Sequence, residues 1–198
     1  MKGLKISNSG LAEFVSAVQA IYVSEGSDKT TTHAGEWPGH AYQRTYASQF
    51  MRLYARHLLG KPVRVAEVGV HHGSSMRAMR RILPFAEVYG FDMVPCPDNV
   101  AGATVVLGDG YAAETWKDVP SDFDLIIDDG SHSVDDMLRG LPVFTSHLRW
   151  GGVLLIEDIP GGLAAAGRVA DRLADAEIVD TRDEGQPFDD VTVLWVKK

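Results

Sequence analysis

Between Val63 and Asp158 the chain alternates short, continuously apolar runs with helix-like stretches, and this alternation narrows the possible folds more than any other feature. The runs are VRVAEVGV (Val63–Val70), EVYGFDM (Glu87–Met93), ATVVLGD (Ala103–Asp109), FDLIIDD (Phe123–Asp129) and GVLLIED (Gly152–Asp158). Strands that are apolar on both faces belong to parallel sheets covered by helices on either side. Ser74–Leu83, Gly110–Trp116 and Val134–Leu148 read as the covering helices, which predicts a doubly wound α/β sheet. A helix over Leu163–Leu173 follows, then two more strands, Ala176–Arg182 and Asp190–Lys197. The turn-rich Gly185–Asp189 between them predicts an antiparallel hairpin. The expected fold is therefore an α/β, Rossmann-like, seven-stranded and mostly parallel sheet that ends in an antiparallel hairpin.

Ahead of the sheet, Leu11, Phe14, Val15, Val18 and Ile21 recur at helical intervals within Ser9–Val23. Tyr46, Phe50, Leu53, Tyr54 and Leu58 do the same within Tyr42–Leu59, with Gly60 past the end. The polar stretch Ser24–His40 between them reads as a loop. Residues 1–60 are expected to form a small helical cap or lid on a core of residues 61–198, in one compact domain. The wide apolar stripes of the cap suggest a homo-oligomer, which would bury the excess.

Composition removes several classes of partner. Asp and Glu number 27 against 19 Lys and Arg, a net charge of −8 that disfavours a nucleic-acid partner. The single cysteine, Cys96, can form neither an internal disulfide nor a thiolate zinc site, which points to a reducing, cytoplasmic setting. The opening MKGLKISNSGLAEFV is not a secretory signal, and no apolar run approaches the roughly 20 residues that span a bilayer. No membrane association is expected.

In an open parallel sheet, ligands bind at the carboxyl ends of the strands. Here those ends carry Asp92, Asp109, Asp128–Asp129 and Glu157–Asp158, and the first strand carries Glu67 just before a glycine loop. That loop, Glu67-Val-Gly69-Val-His-His-Gly73, lacks the second glycine of the G-x-G-x-x-G dinucleotide fingerprint, because His71 stands in its place. Gly69 permits a tight turn, Gly73 opens the next helix, and Glu67 suits a ligand with a positively charged amino group. Asp92 is placed to accept both hydroxyls of a ribose. Asp109, in Leu-Gly108-Asp-Gly, is placed near an adenine edge. With Ser74 and Asp128 beside them, these residues describe one ligand that joins an amino acid, a ribose and an adenine: S-adenosylmethionine. Asp129, Glu157 and Asp158 should converge beyond neighbouring strands, where three carboxylates need a shared cation. An all-oxygen set selects a hard divalent ion such as Mg²⁺. His132, three residues past Asp129, is placed to accept a proton.

EVGVHHGSS, YGFDM, LIIDDGSH and GGVLLIEDI, in this order, resemble the macrocin-type sugar O-methyltransferases, which act on deoxysugars of macrolide antibiotics and related glycosides. SDKTTTH followed by tyrosines is similar to the N-terminal segment of that family. The resemblance runs from Ser27 to about Asp158. It implies S-adenosylmethionine as methyl donor, Mg²⁺ held by Asp129, Glu157 and Asp158, His132 as general base and a small-molecule glycoside as acceptor. The family's macrolide members carry additional N-terminal or lid segments, so the acceptor's identity stays open. A catechol-type O-methyltransferase is the nearest alternative. Such enzymes usually present a lysine as base, and the residues just after the fourth strand here give His132 and no lysine. A non-catalytic S-adenosylmethionine-binding protein and a nicotinamide-dependent oxidoreductase fit less well. Among the other histidines, His71 and His72 fall in the cofactor loop and His33 and His40 in the Thr-rich loop, while His57 and His147 read as structural. Trp37, Tyr42 and Tyr46 could line a substrate mouth or simply pack the helices, and Cys96 reads as passive.

Overall fold

A computed structural model of the chain describes residues 8–30, 39–96, 100–182 and 190–198. His33, Trp37 and the Gly185–Asp189 turn lie outside the described residues. Seven strands form one sheet: β1 (Arg64–Val68), β2 (Glu87–Asp92), β3 (Ala103–Leu107), β4 (Phe123–Asp128), β5 (Leu148–Ile156), β6 (Glu177–Asp180) and β7 (Val191–Val196), in the order β3-β2-β1-β4-β5-β7-β6. The first five are parallel, and β7 runs antiparallel to both β5 and β6. The expected sheet and its terminal hairpin are both present. The strand order reverses between β1 and β4, so a crevice opens beyond their carboxyl ends, where ligands bind in such sheets.

The helices are α1 (Asn8–Ser24), α2 (Gln43–Leu58), α3 (Ser74–Ile82), α4 (Val134–His147) and α5 (Gly162–Ala170). Two expectations are corrected. Gly110–Trp116 is not a full helix but a single 3₁₀ turn over Ala113–Trp116. Trp116 is buried there and donates its ring N–H to Gly110 O (2.8 Å), which ties the segment into a compact turn. β5 begins at Leu148, four residues before the apolar run suggests, because Leu148 pairs with Phe123 ahead of an irregularity in the β4–β5 ladder.

Alternation along each strand sends side chains to two cores. Val65 of β1, Leu125 and Ile127 of β4 and Leu155 of β5 pack with α1, α2 and α3. Ala66, Val68, Ile126, Leu154 and Ile156 pack with α4, α5 and Trp116 on the other face. Extending the period by one step puts Glu67 and Glu157 under the cap helices, while Asp128 faces Tyr111 on the α4 side. At the opposite end of the sheet, buried Asp124 takes the Arg64 N–H (2.9 Å), Arg56 (2.7 Å) and Arg149.

Candidate active site

A cavity of about 660 Å³ lies beyond the ends of β1, β2, β4 and β5. Of the expected site residues it is lined by Gly69, Ser74, Asp92, Asp129, His132 and Asp158. A narrower slot of about 200 Å³ shares Gly69, Asp92 and Gly130 with it and continues to Asp109 and Tyr111. The groove is therefore continuous from the glycine loop to the end of β3.

The turn after β1 is fixed by close backbone approach. Gly69 has φ +90°, and a Cβ there would stand 2.1 Å from the Asp129 carbonyl oxygen. Gly73 has φ +73°, and a Cβ there would meet Val100 at 2.5 Å. Asp92 organises the same turn: Val70 N–H and His71 N–H donate to its Oδ2 (2.8 and 2.9 Å), and Val94 N–H donates to Oδ1 (2.9 Å). Burial pushes the Asp92 carboxyl up, but these amides outweigh it and hold the group below the usual range. Asp109 is less free than expected, because it accepts from Arg139 (2.8 Å) and from Tyr111 N–H (2.9 Å). Gly108 donates its N–H to Asp92 O (2.8 Å), joining β3's end to β2's.

Glu67 and Asp128 are buried beneath the cavity and do not line it. Ser75, which does line the cavity, donates its hydroxyl to Glu67 Oε1. Glu67 Oε2 and Asp128 Oδ2 have no hydrogen-bond partner among the described residues. Burial pushes the Glu67 carboxyl up to about 8, with the Asp129 and Glu157 charges adding to the shift. Asp128 is pushed up to about 7, again mainly by burial, although the Tyr111 hydroxyl donates to its Oδ1 (2.7 Å).

The three acids expected to share a cation do converge, and the structure adds a partner that the sequence reading missed. Lys29 Nζ lies 2.5 Å from Asp129 Oδ1, 3.0 Å from Glu157 Oε2 and 3.8 Å from Asp158 Oδ2. Burial lowers the Lys29 pKa, but the three carboxylates outweigh it and hold the ammonium well above its ordinary value. A lysine thus reaches the cluster after all, not from behind β4 but from the cap. Its only sequence signal was a charged residue in SDKTTTH, and a lysine in a polar loop is ordinarily solvated. Tyr46 donates to Glu157 Oε2 (2.9 Å) and Tyr42 to Asp158 Oδ1 (2.5 Å), so these tyrosines support the acids and do not merely pack helices. His40, given little weight from sequence, contacts Asp158 (3.3 Å) and Asp190, while Ala41 N–H donates to Asp190 Oδ2 (3.1 Å). Burial opposes a charged ring at His40, but Asp190 and Asp158 prevail and push it up to about 9.

His132 faces the same acids from the cavity side, its Nε2 3.5 Å from Asp129 Oδ1 and 3.6 Å from Asp158 Oδ2. Its hydrogen bond with Asp129 holds the ring above its ordinary pKa. Ligand atoms of Asp129, His132 and Asp158 lie within 4.8 Å of one another, a spacing that can hold a metal ion. His71, His132 and Asp158 are cavity-lining residues at positive φ (49°, 51° and 50°) that are not glycine, the backbone strain that functional sites concentrate. His57 stacks on Phe85 (centroids 4.0 Å apart) and His147 lies against Trp116 (5.0 Å), both structural as expected.

A mostly parallel sheet whose strand order reverses, a glycine turn braced by the β2 acid and an acid cluster past β4 and β5 thus meet at one end of the sheet. Residues 66–159 match the family model described as a methyltransferase domain. The chain is 31% identical over 125 residues to mycinamicin VI 2''-O-methyltransferase of Micromonospora griseorubida, covering 56% of this chain and 31% of that protein. It is 32% identical over 125 residues to L-olivosyl-oleandolide 3-O-methyltransferase of Streptomyces antibioticus, covering 55% and 32%. The MycE methyltransferase of the mycinamycin biosynthetic pathway, solved in complex with Mg and SAH, shares the fold with a TM-score of 0.66 at 20% identity, over 91% of this chain and 55% of that one. The chain thus spans about a third of the length of these curated relatives. Among the described residues, no helix is long and apolar enough to cross a membrane.

Proposed function

We propose that this chain is an S-adenosylmethionine- and Mg²⁺-dependent O-methyltransferase that acts on a sugar hydroxyl of a glycosylated natural product. The observation that carries this reading is the convergence of Asp129, Glu157 and Asp158 beside the cavity that Asp92 and the Gly69–Gly73 loop also line. The residues fit both groups. The acids form an all-oxygen donor set suited to a hard divalent ion, and Glu67 Oε2 is a buried acceptor without a donor, near the wall where an amino group would lie.

When bound, S-adenosylmethionine supplies an electrophilic methyl group and Mg²⁺ supplies Lewis acidity. Asp129, Glu157 and Asp158 would hold the ion. Asp92, kept ionised by its backbone donors, would accept the ribose hydroxyls. The Gly69 and Gly73 turn would let main chain approach the donor closely, flanked by Ser74, and Gly108, Asp109 and Asp128 would border the adenine side. His132 Nε2, at the cavity face of the cluster, would take the acceptor hydroxyl's proton. The cap, residues 1–60, would exclude water over the core of residues 61–198. Lys29 removes the sequence argument against a catechol-type acceptor. The Lys29 side chain is buried against three carboxylates, whereas the His132 ring is far more exposed at the cavity face, which favours His132 for proton removal.

The related proteins that methylate macrolide sugars support a glycoside acceptor. A cytoplasmic setting and a homo-oligomer built on the exposed Leu11, Leu58 and Leu59 of the cap belong to the same proposal. Methyl transfer from radiolabelled S-adenosylmethionine to a glycosylated macrolide tests it. Transfer should cease in EDTA and return with Mg²⁺, and His132→Ala should lower turnover by about 10²–10⁴-fold while leaving S-adenosylhomocysteine binding unchanged. Undiminished transfer in EDTA would overturn the metal role.

A further inference from the structure

The carboxylate cluster already contains a cation that belongs to the chain itself. Lys29 is contributed by the cap, yet its side chain is only 3% exposed, and its ammonium lies among the same acids that the proposed function assigns to the ion. The segment that carries it is anchored: Ser27 N–H donates to Tyr22 O (3.0 Å), Lys29 N–H to Ser27 Oγ (3.4 Å) and His40 N–H to Asp28 O (2.6 Å). The ammonium is therefore directed into the cluster by fixed backbone and does not reach it from a freely solvated tether.

We propose that Lys29 is a tethered counter-ion that competes with the divalent cation for Asp129 and Glu157, weakening its binding and keeping it exchangeable. This inference rests on the reading of Asp129, Glu157 and Asp158 as the ion's ligands. Mg²⁺ requires its ligand oxygens at about 2.0–2.1 Å. An ammonium 2.5 and 3.0 Å from two of those oxygens takes up the same electron pairs and repels the incoming charge. In the ion-free protein the ammonium has the opposite value: it keeps three close carboxylates from repelling one another, so the cluster holds its arrangement between ions. Removing the charge should therefore tighten ion binding.

The test is calorimetric titration of MgCl₂ into the full chain, freed of metal with EDTA and dialysed, for the parent, Lys29→Met, Lys29→Gln and Lys29→Arg. The two neutral variants should bind Mg²⁺ at least about tenfold more tightly than the parent, a gain of about 1.4 kcal/mol. Lys29→Arg, which keeps the charge, should bind no more tightly than the parent. Equal or weaker binding in the neutral variants, with parental binding intact, overturns the inference and leaves the metal reading standing. An equal gain in Lys29→Arg also overturns it. No Mg²⁺ binding in any of the four proteins overturns the metal reading itself, and the inference with it. Should the neutral variants lack structure without metal, circular dichroism decides: recovery of the fold in millimolar Mg²⁺ supports the counter-ion role, and no recovery overturns it.

Discussion

Glu67→Gln should make the ligand-free protein more stable at alkaline pH and poorer at binding S-adenosylmethionine. The folded protein holds the Glu67 carboxyl at about 8, against an ordinary value of 4.5, because burial disfavours its charge. A carboxylate raised in this way binds its proton more tightly folded than unfolded, so its contribution to stability is greatest below 4.5. That contribution falls as pH rises and levels off above about 8. At 1.36 kcal/mol per unit, this one group removes about 3 kcal/mol of stability between roughly pH 5 and 8. Glutamine cannot ionise, so the variant should lack that part of the decline. Its amide can still accept from the Ser75 hydroxyl, but its NH₂ takes the place of the partnerless Oε2, at a penalty of about 1–3 kcal/mol. Urea unfolding of metal-free protein from pH 5 to 8 reads the difference directly. The parent's stability should fall by about 3 kcal/mol more than that of the variant, which should meanwhile lose affinity for S-adenosylhomocysteine. Parallel pH profiles would refute the reasoning.

Two further substitutions probe the cofactor turn. Gly69→Ala places a methyl group 2.1 Å from the Asp129 carbonyl at φ +90°, so it should destabilise the fold by more than about 4 kcal/mol in urea unfolding. A loss below about 1 kcal/mol would show that the turn is looser than described. Asp92→Ala should weaken S-adenosylhomocysteine binding at least about a hundredfold by calorimetry, since it removes the brace on Val70 and His71 and, on the proposed reading, would remove two charge-assisted hydrogen bonds to the ribose. Unchanged affinity would place the ribose elsewhere.

The sheet was legible because parallel strands buried on both faces leave unbroken apolar runs, and their carboxyl ends mark the ligand side. Asp129, Glu157 and Asp158 could be brought together from sequence by strand adjacency alone. Which way each side chain points could not. Glu67 and Asp128 sit under opposite faces of the sheet, and only the register of β1 against β4 decides that. The partners that complete the cluster come from the cap: Lys29, His40, Tyr42 and Tyr46 approach through tertiary docking, which no local periodicity encodes. Asp190, which contacts His40, immediately precedes β7 and carried no motif. The Gly110–Trp116 segment has a helical apolar spacing, but the buried Trp116 side chain and its bond to Gly110 O take precedence over propensity.

A crystal structure of the chain grown with S-adenosylhomocysteine and Mn²⁺ in place of Mg²⁺ would locate both ligands at once, through the anomalous signal of the metal. The predicted result is one metal peak bound by Asp129, Glu157 and Asp158, with His132 beside it. The homocysteine end should lie over the Gly69–Gly73 turn and the ribose on Asp92. A nucleoside bound there with no metal at the three acids would contradict the metal-assisted mechanism, and a nucleoside bound elsewhere would contradict the methyltransferase reading itself.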